Sequence, residues 1–594
     1  MLKRLSLILK ATLLLIVITA STLPLANAQQ AQEIINQQDW ITRNQQNEIE
    51  KDRRTKEQKT IREERKRRQE EEKKQENDNL ITGQTTSCIE IKKINLTQAK
   101  SVSKKNIDKL TKPFLGQCFE AKMLSKLISI INSYYSKKGF VTARVSVPQQ
   151  NVQNGILELN ILEGVIGEIN YGDDAFTDKM QKFTAFGNAK GNTLNINDIN
   201  QGIYQINRLS SNNAAVKVEP SNDDGEADIS ITNQRSTPVH ASIGYDNLGN
   251  EFTGIHRTNF TGSFDNLLFL NDNINLSYST NLNDDSSLKD IRSFSGGISV
   301  PFKYNTLSYD YSRSEFRGTN QGTSGPIKLS GYSDRNNVTL DRVLLNKGNL
   351  RISGNTSLTE KKTSSYLNDL KIETSERRLT IGNIGLTISN YFKNGLNLYV
   401  KPSYSRGLKL FNAKQDLTNI STSTPKAQFD VFKLYASASK NFIVPKVGIP
   451  IQLTTEIESQ YAKQTIFGSE QFSVGGYYSV RGFRENYITG DSGYYLRNKA
   501  NVNLLSLISP FTNGKNISVL SPFYLEPFYD YGYVQNKYDG SDGRLSGAGI
   551  KTIFATNQLQ ASLTYSWANS SSSLVTSDKK ENSLVYFEVT VKCC

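Results

Sequence analysis

Chemistry that depends on a nucleophile, a general base or a metal finds few carriers in this chain. Its 594 residues hold two histidines, His240 and His256, and four cysteines, Cys88, Cys118, Cys593 and Cys594. No H-E-x-x-H, G-x-S-x-G, phosphate-loop or C-x-x-C sequence occurs, so protease, esterase, nucleotide and zinc readings have nothing to rest on. The acid pairs Asp223-Asp224 and Asp284-Asp285 sit among turn-forming residues and keep loops hydrated. Gly547 and Gly549 in LSGAGIKT lack the following helix that a phosphate cradle needs. What the sequence offers instead is a charge pairing. In GGYYSVRGFRENYITGDSGYYLRN, Gly475 to Asn498, Arg481 stands between Val480 and Gly482-Phe483. Its planar, permanently charged fork suits a carboxylate. In PFYDYGY, Phe528, Asp530 and Gly532 share one face of a strand and Tyr529, Tyr531 and Tyr533 the other. A tyrosine face turned to lipid would point Asp530 inward, and Gly532 would leave room for an approaching loop. An Arg481–Asp530 pair inside a barrel is therefore expected; the competing reading makes Arg481 a solvated loop charge.

The elements that must position such a pair follow from the rest of the chain. The N-terminus has the form of a secretory signal over residues 1–28: Lys3 and Arg4, the apolar run ATLLLIVITA, and the small-residue site Ala26-Asn27-Ala28. An uncleaved anchor is the alternative, but the apolar run is short for a span. Cleavage removes Lys3, Arg4 and Lys10, lowering the formal charge from +14 to +11 (14 − 3). No aromatic-laced basic patch accompanies that charge, so nucleic acid is not an expected partner. An exported chain permits a disulfide, and Cys88 with Cys118 is the pair that would staple a small domain.

Residues 29–50 carry Ile34, Ile35, Trp40, Ile41 and Ile49, enough for one apolar stripe on a helix. Residues 51–85 are dominated by charge. Glu63/Arg67, Glu64/Arg68 and Glu70/Lys74 allow helical pairing, but a solvated linker is the expected state. Two small α+β units follow, 86–163 and 164–236, each with strand, helix, helix, strand, strand. Leu124, Leu127, Ile128 and Ile131 give the first unit's second helix its 3.6-residue spacing, and Gly139 suits its end.

From 237 to 594 the period changes to two. Leu307, Tyr309 and Tyr311 alternate with Ser308, Asp310 and Ser312, and Leu563, Tyr565 and Trp567 alternate with Thr564 and Ser566. A soluble sandwich also alternates, but this region is long for one sandwich core and its apolar faces are rich in Tyr, Leu and Val. At roughly 22 residues per strand with its connection, about sixteen strands of a transmembrane β-barrel fit.

The combination of Val480-Arg481-Gly482-Phe483 with Phe528-Tyr529-Asp530-Tyr531-Gly532 resembles the VRGY/F and F-x-D-x-G motifs of the outer-membrane two-partner secretion transporters. These belong to the superfamily that joins periplasmic POTRA domains to a barrel. YDNLGNEFTGIHR, Tyr245 to Arg257, is similar to that family's first hairpin through Asp246, Asn247, Gly249, Thr253 and Gly254. GFVTARVSVPQQNVQNGILELNILEG is similar to the end of its first POTRA domain. The resemblance implies an outer-membrane location with periplasmic N-terminal domains and a helix plugging the barrel at rest. It also implies POTRA capture of a large partner exoprotein by strand addition, and export through the barrel without cofactor or nucleotide. The segment around 475–495 would fold inward, be anchored to Asp530 and be needed for transport. Lipid, the barrel-assembly machinery and periplasmic chaperones are the other implied partners, and a monomer the implied state. The chain finishes Val591-Lys592-Cys593-Cys594, not in the aromatic usual for such barrels, a departure that implies less efficient membrane assembly or an altered C-terminus. A barrel-assembly insertase, which would usually carry more POTRA units, and a passive porin, which needs none, are the alternatives.

Overall fold

A computed structural model describes residues 35–36, 38–63, 89–152, 154–173, 175–281, 289–322, 325–419, 421–511, 518–570, 574 and 581–593. The expected signal peptide, Cys88, Asp284-Asp285 and the greater part of the expected linker lie outside these residues.

Sixteen long antiparallel strands, from Val239–Asp246 to Ser583–Cys593, form a closed barrel, each paired with its neighbour in sequence and the last with the first. Period two decides which side each residue faces. Leu307 is 55% exposed on the outer wall, while Asp530, from an alternating strand of the same wall, is 0% exposed inside. Tyr309, Val338, Tyr529, Leu563 and Trp567 repeat the first condition, and Ser312, Asn337, Thr339, Glu526 and Ser566 the second. In water this arrangement would leave apolar area unburied at about 25 cal/mol per Å². In lipid it is the stable one, because the wall is apolar, the bore is polar and closure pairs the last strand with the first. Strand lengths are uneven: Asn305–Gly322 and Gly325–Lys347 pair over eighteen positions, the closing seam over six.

The two α+β units precede the barrel. In the first, helices α2 (Lys104–Thr111) and α3 (Ala121–Lys137) cover a sheet ordered Lys93–Thr97, Ile156–Leu162, Arg144–Ser146. Leu127, Ile131 and Tyr135 of α3 form its core with Leu157, Leu159 and Ile161. In the second, α4 (Phe176–Phe186) and α5 (Ile196–Asn207) cover Val165–Tyr171, Glu226–Arg235 and Asn212–Pro220. The units abut without a linker. Glu163 accepts from Ser101 Oγ (2.6 Å) and Tyr135 Oη (3.3 Å), and Ile196 N donates to Gly139 O (2.9 Å). Burial, with the Glu163 carboxylate beside it, pushes the Tyr135 hydroxyl up, so it stays a protonated donor.

The second unit is seated on the rim where the barrel's short turns lie. The Lys303 carbonyl accepts from Gln201 (3.1 Å) and Gln205 (2.7 Å), and its N–H donates to Thr184 O (2.8 Å). Asn271, fully buried, donates to Gln181 O and Thr184 Oγ1 (both 2.8 Å). Two turns of the wall are thus fixed by one face of α4 and α5, which holds the unit at the periplasmic mouth.

The exposure pattern makes a direct prediction. Val338→Arg, on the lipid face, should destabilise the folded barrel by about 2–4 kcal/mol if it lies near the midplane, and Ser308→Arg, facing the bore, by measurably less. Denaturant titration in lipid vesicles measures both.

Candidate functional site: the contents of the bore

Two elements occupy the bore, and polar contacts hold both. The first is the segment between strands Pro450–Ala462 and Ser492–Asn503. It turns inward, forms a short hairpin (Phe472–Val474 with Ile488–Gly490) and carries Arg481 at its tip. Gly475 at φ +112° and Gly482 at φ +110° make the bends that a side chain would resist. Ser479 Oγ bridges the first bend, accepting from Gly475 N (3.0 Å) and donating to Gly475 O (2.9 Å). Phe472, Val474, Val480, Phe483 and Ile488 pack with Val534 and Leu545 of the wall into a dry cluster. The tip is thereby a folded unit.

Arg481 is 2% exposed and Asp530 0%. Arg481 Nε donates to Asp530 Oδ2 (2.7 Å), Nη2 to Oδ1 (2.9 Å), and the Arg481 backbone N–H adds a third bond to Oδ2 (3.2 Å). The guanidinium carbon lies 3.4 Å from the centroid of the Phe528 ring, a stacked cation–π contact. Glu526 is 3.7 Å from Nη1, and Arg497 is 3.8 Å from Asp530. The strand register explains the convergence: Asp530 is paired with Arg497 on one side and Gly547 on the other.

That glycine matters. A Cβ at Gly547 would overlap the Arg481 carbonyl oxygen, one at Gly532 would overlap Val474, and one at Gly549 would press on Phe528 at 2.7 Å. Gly532 is a residue the sequence nominated. Gly547 and Gly549 were set aside there as poor phosphate ligands, yet Gly547 leaves the space in which the tip lies, and Gly549 the space for the Tyr565 carbonyl and the Phe528 ring. Period two carries a signal for them: they fall on the polar-facing side of their strand, where the sheet needs no glycine.

The second element is helix α1, residues 35–36 and 38–63. It runs past the expected boundary at 50, so the first part of the expected linker is helix inside the bore. Its charges meet counter-charges on the wall: Glu50 pairs with Lys401 (3.0 Å), Arg54 with Glu458 (2.9 Å), and Glu57 accepts from Tyr399 Oη (2.7 Å). Near its start, Asp39 receives a two-pronged contact from Arg377, both 4% exposed, and Arg43 donates to the Gly468 carbonyl. Trp40 and Ile41 pack with Phe316 and Tyr487. The helix also touches the infolded segment. Tyr478 Oη donates to Glu48 (3.0 Å), Lys51 lies 4.8 Å from the Tyr478 ring centroid, and Trp40 lies 5.6 Å from Tyr487.

The first-hairpin residues gather at the closing seam, away from the Arg481–Asp530 pair. Asp246 accepts from Arg257 Nε (2.9 Å) and Asn259 (2.7 Å). The Asn247 side chain donates to Val585 O (2.9 Å) and accepts from Phe587 N (2.8 Å), adding two bonds beyond the strand ladder. Thr253 donates twice to Asn250, Gly254 turns at φ +113°, and a Cβ at Gly249 would overlap the Gly254 carbonyl. For the cysteines, Glu90 is paired with Cys118, which brings the chain two residues past Cys88 alongside it.

Filling the space at Gly547 should dislodge the tip. Gly547→Val is expected to expose the 475–490 segment to protease in folded vesicle-embedded protein, while Ala548→Val, on the lipid face of the same strand, leaves it protected. Proteolysis followed by mass mapping distinguishes the two.

Comparison with known proteins agrees with this architecture. The family described as "Haemolysin secretion/activation protein ShlB/FhaC/HecB" matches residues 225–552, a ShlB-type POTRA domain matches 89–164, and a second POTRA domain matches 165–220. The outer membrane transporter CdiB of Dickeya dadantii (strain 3937) is 28% identical over 82% of this chain and 84% of its own length. The hemolysin transporter protein ShlB of Serratia marcescens is 26% identical over 70% and 72%. Among solved structures, CdiB from Escherichia coli has the same fold, with a TM-score of 0.78 at 24% identity over 93% of this chain and 98% of that one. The family match spans more than half of the sequence: the chain belongs to the ShlB/FhaC/HecB haemolysin secretion/activation family, the POTRA-plus-barrel transporters of two-partner secretion in the outer membrane.

Proposed function

We propose that this transporter captures a large, extended partner exoprotein on an open strand edge of its second POTRA domain and passes it through the bore after α1 withdraws. The observation that carries the reading is the pairing of a polar, removable plug with a free sheet edge at the same mouth. Among the described residues, strand Asn212–Pro220 pairs on one side only, with Glu226–Arg235. The opposite edge strand, Val165–Tyr171, is partly covered by 191–193, through Gly191 N to Ile166 O (2.7 Å) and Ile166 N to Asn192 O (2.9 Å). Asn207 covers the start of Asn212–Pro220 by bonding both backbone groups of Ala214. Ser236 N donates to Ser211 O (2.7 Å), so by alternation the backbone groups of Val216 and Val218 point away from the sheet. An arriving extended segment would bond there through its main chain, with little demand on its sequence.

The infolded segment supplies the other half of the mechanism. Arg481, with Val480, Gly482 and Phe483, holds the tip against Phe528, Asp530 and Gly532 and keeps the bore's cross-section defined while cargo passes. The energy for passage comes from folding outside, since the reading uses no nucleotide. A Cys88–Cys118 bond would staple the first POTRA domain beside its separate two-stranded pairing of Ile89–Glu90 with Cys118–Phe119. The chain works as a monomer in the bilayer, delivered there by periplasmic chaperones and the barrel-assembly machinery. The passive-porin alternative leaves the POTRA edge without a purpose.

Two outcomes are expected. Deleting residues 29–63 while keeping the signal should raise single-channel conductance several-fold over wild type; equal conductance would mean that α1 does not obstruct the bore. Val216→Pro removes one outward N–H without touching the ladder. It should lower the amount of partner exoprotein reaching the medium at least tenfold on co-expression, with barrel levels unchanged. If the exoprotein reached the medium equally well without this chain, the export reading would fail.

A further inference from the structure

The closing seam is the shortest ladder between the sixteen long strands. Ser583–Cys593 and Val239–Asp246 share six register pairs, and the next ladder has eight. On the seam side, above the last rung at Glu588 and Asp246, residues 583–587 have no strand partner; the Asn247 N–H donates to Phe587 O (3.3 Å) and its side chain substitutes for two further backbone partners. The tip of the infolded segment lies against this gap and bonds to both sides of it. Toward the last strand, Gly482 N donates to Tyr586 Oη (3.2 Å), which donates to Phe483 O (2.9 Å). The Glu581 carboxylate, just before that strand, accepts the backbone N–H groups of Arg484 (3.1 Å), Glu485 (3.3 Å) and Asn486 (3.0 Å). Toward the first hairpin, Arg484 Nη2 donates to Asn247 O (3.1 Å) and Glu485 Oε1 accepts from Glu251 N (2.8 Å).

We infer that the tip, residues 482–486, is a clasp that holds the first and last barrel strands together at their outer end, with Glu581 and Glu485 as its positioning residues on the two sides. The physical argument is one of connection. A carboxylate receiving several backbone N–H groups makes charge-assisted bonds, stronger than neutral ones. Here one such group ties the tip to the last strand, and a second ties it to the first hairpin. Separation of the strands beyond Glu588 must break one set or the other, since both sets end on the same five residues of a tip pinned at Arg481. The first-hairpin residues gain a role in this scheme: the turn shaped by Gly249, Asn250 and Gly254 presents the Glu251 N–H to the tip. The proposal concerns the wall itself and is independent of what the transporter carries.

Hydrogen exchange of the full chain in lipid nanodiscs, read by mass spectrometry, tests it. Glu581→Ala and Glu485→Ala should each speed exchange in seam peptides 239–254 and 583–593 by about tenfold or more. The ladder on the far wall, Asp430–Ile443 with Pro450–Ala462, should keep wild-type rates, and Glu581→Gln, which retains an acceptor oxygen, should fall between. Should one variant fail to assemble, the other tests the same clasp from the opposite strand. Seam exchange within twofold of wild type in a folded variant overturns the proposal, as does an equal rise on both walls, which would report general loosening.

Discussion

A guanidinium and a carboxylate, both almost wholly removed from solvent, meet in the bore, and the rest of the machine is arranged around that meeting. Arg481 brings the infolded tip to the wall, and Asp530 is the wall's receptor. Neither charge could be buried alone: taking an ion out of water costs several kcal/mol, recovered only when geometry is good and the remaining donors and acceptors are used. The structure meets that condition with a two-pronged fork, a backbone N–H on the same carboxylate, an aromatic face under the guanidinium, and a second arginine and a second acid at the margins. The glycines beside Asp530 are part of the same constraint. They let backbone approach wall where side chains would keep it away.

The plug is held by a different balance. Its inner-surface contacts are ion pairs and tyrosine hydroxyls facing a polar bore, with a small apolar cluster at Trp40 and Ile41. The pairs at Glu50 and Arg54 each have one partner partly open to the bore's water, while Asp39–Arg377 is buried. A helix held in this way can leave and be replaced by another polar chain, which a helix buried in an apolar core could not. The bore thus holds a loop tethered to the wall at both its ends and a helix docked mainly by polar contacts, the part that the proposed mechanism removes.

Much of this was legible in the sequence, for identifiable reasons. Period two marks the barrel because lipid on one side and water on the other impose it at every strand. Asp530 could be pointed inward because three tyrosines share the opposite face. The length of α1 was not legible. Its charges from 51 to 63 have the composition of a solvated linker, and wall partners such as Glu458 and Tyr399, hundreds of residues away in sequence, make them a docked surface. The roles of Tyr586 and Glu581 were hidden for a similar reason: each acts on the tip from about a hundred residues further along the chain, a contact that no local pattern encodes. The first hairpin was recognisable as a motif, but its residues serve the seam and not the charge pair, which only the register reveals.

The most direct test of the account is a double-mutant cycle on the central pair, read as the protease-opening free energy of the 475–490 segment in vesicles for Arg481→Ala, Asp530→Ala and the double variant. The account predicts strong coupling: each single change frees the tip by a few kcal/mol because it strands a buried charge, and the double variant is no worse than the worse single. Additive effects, or a tip that stays protected without either charge, would contradict it.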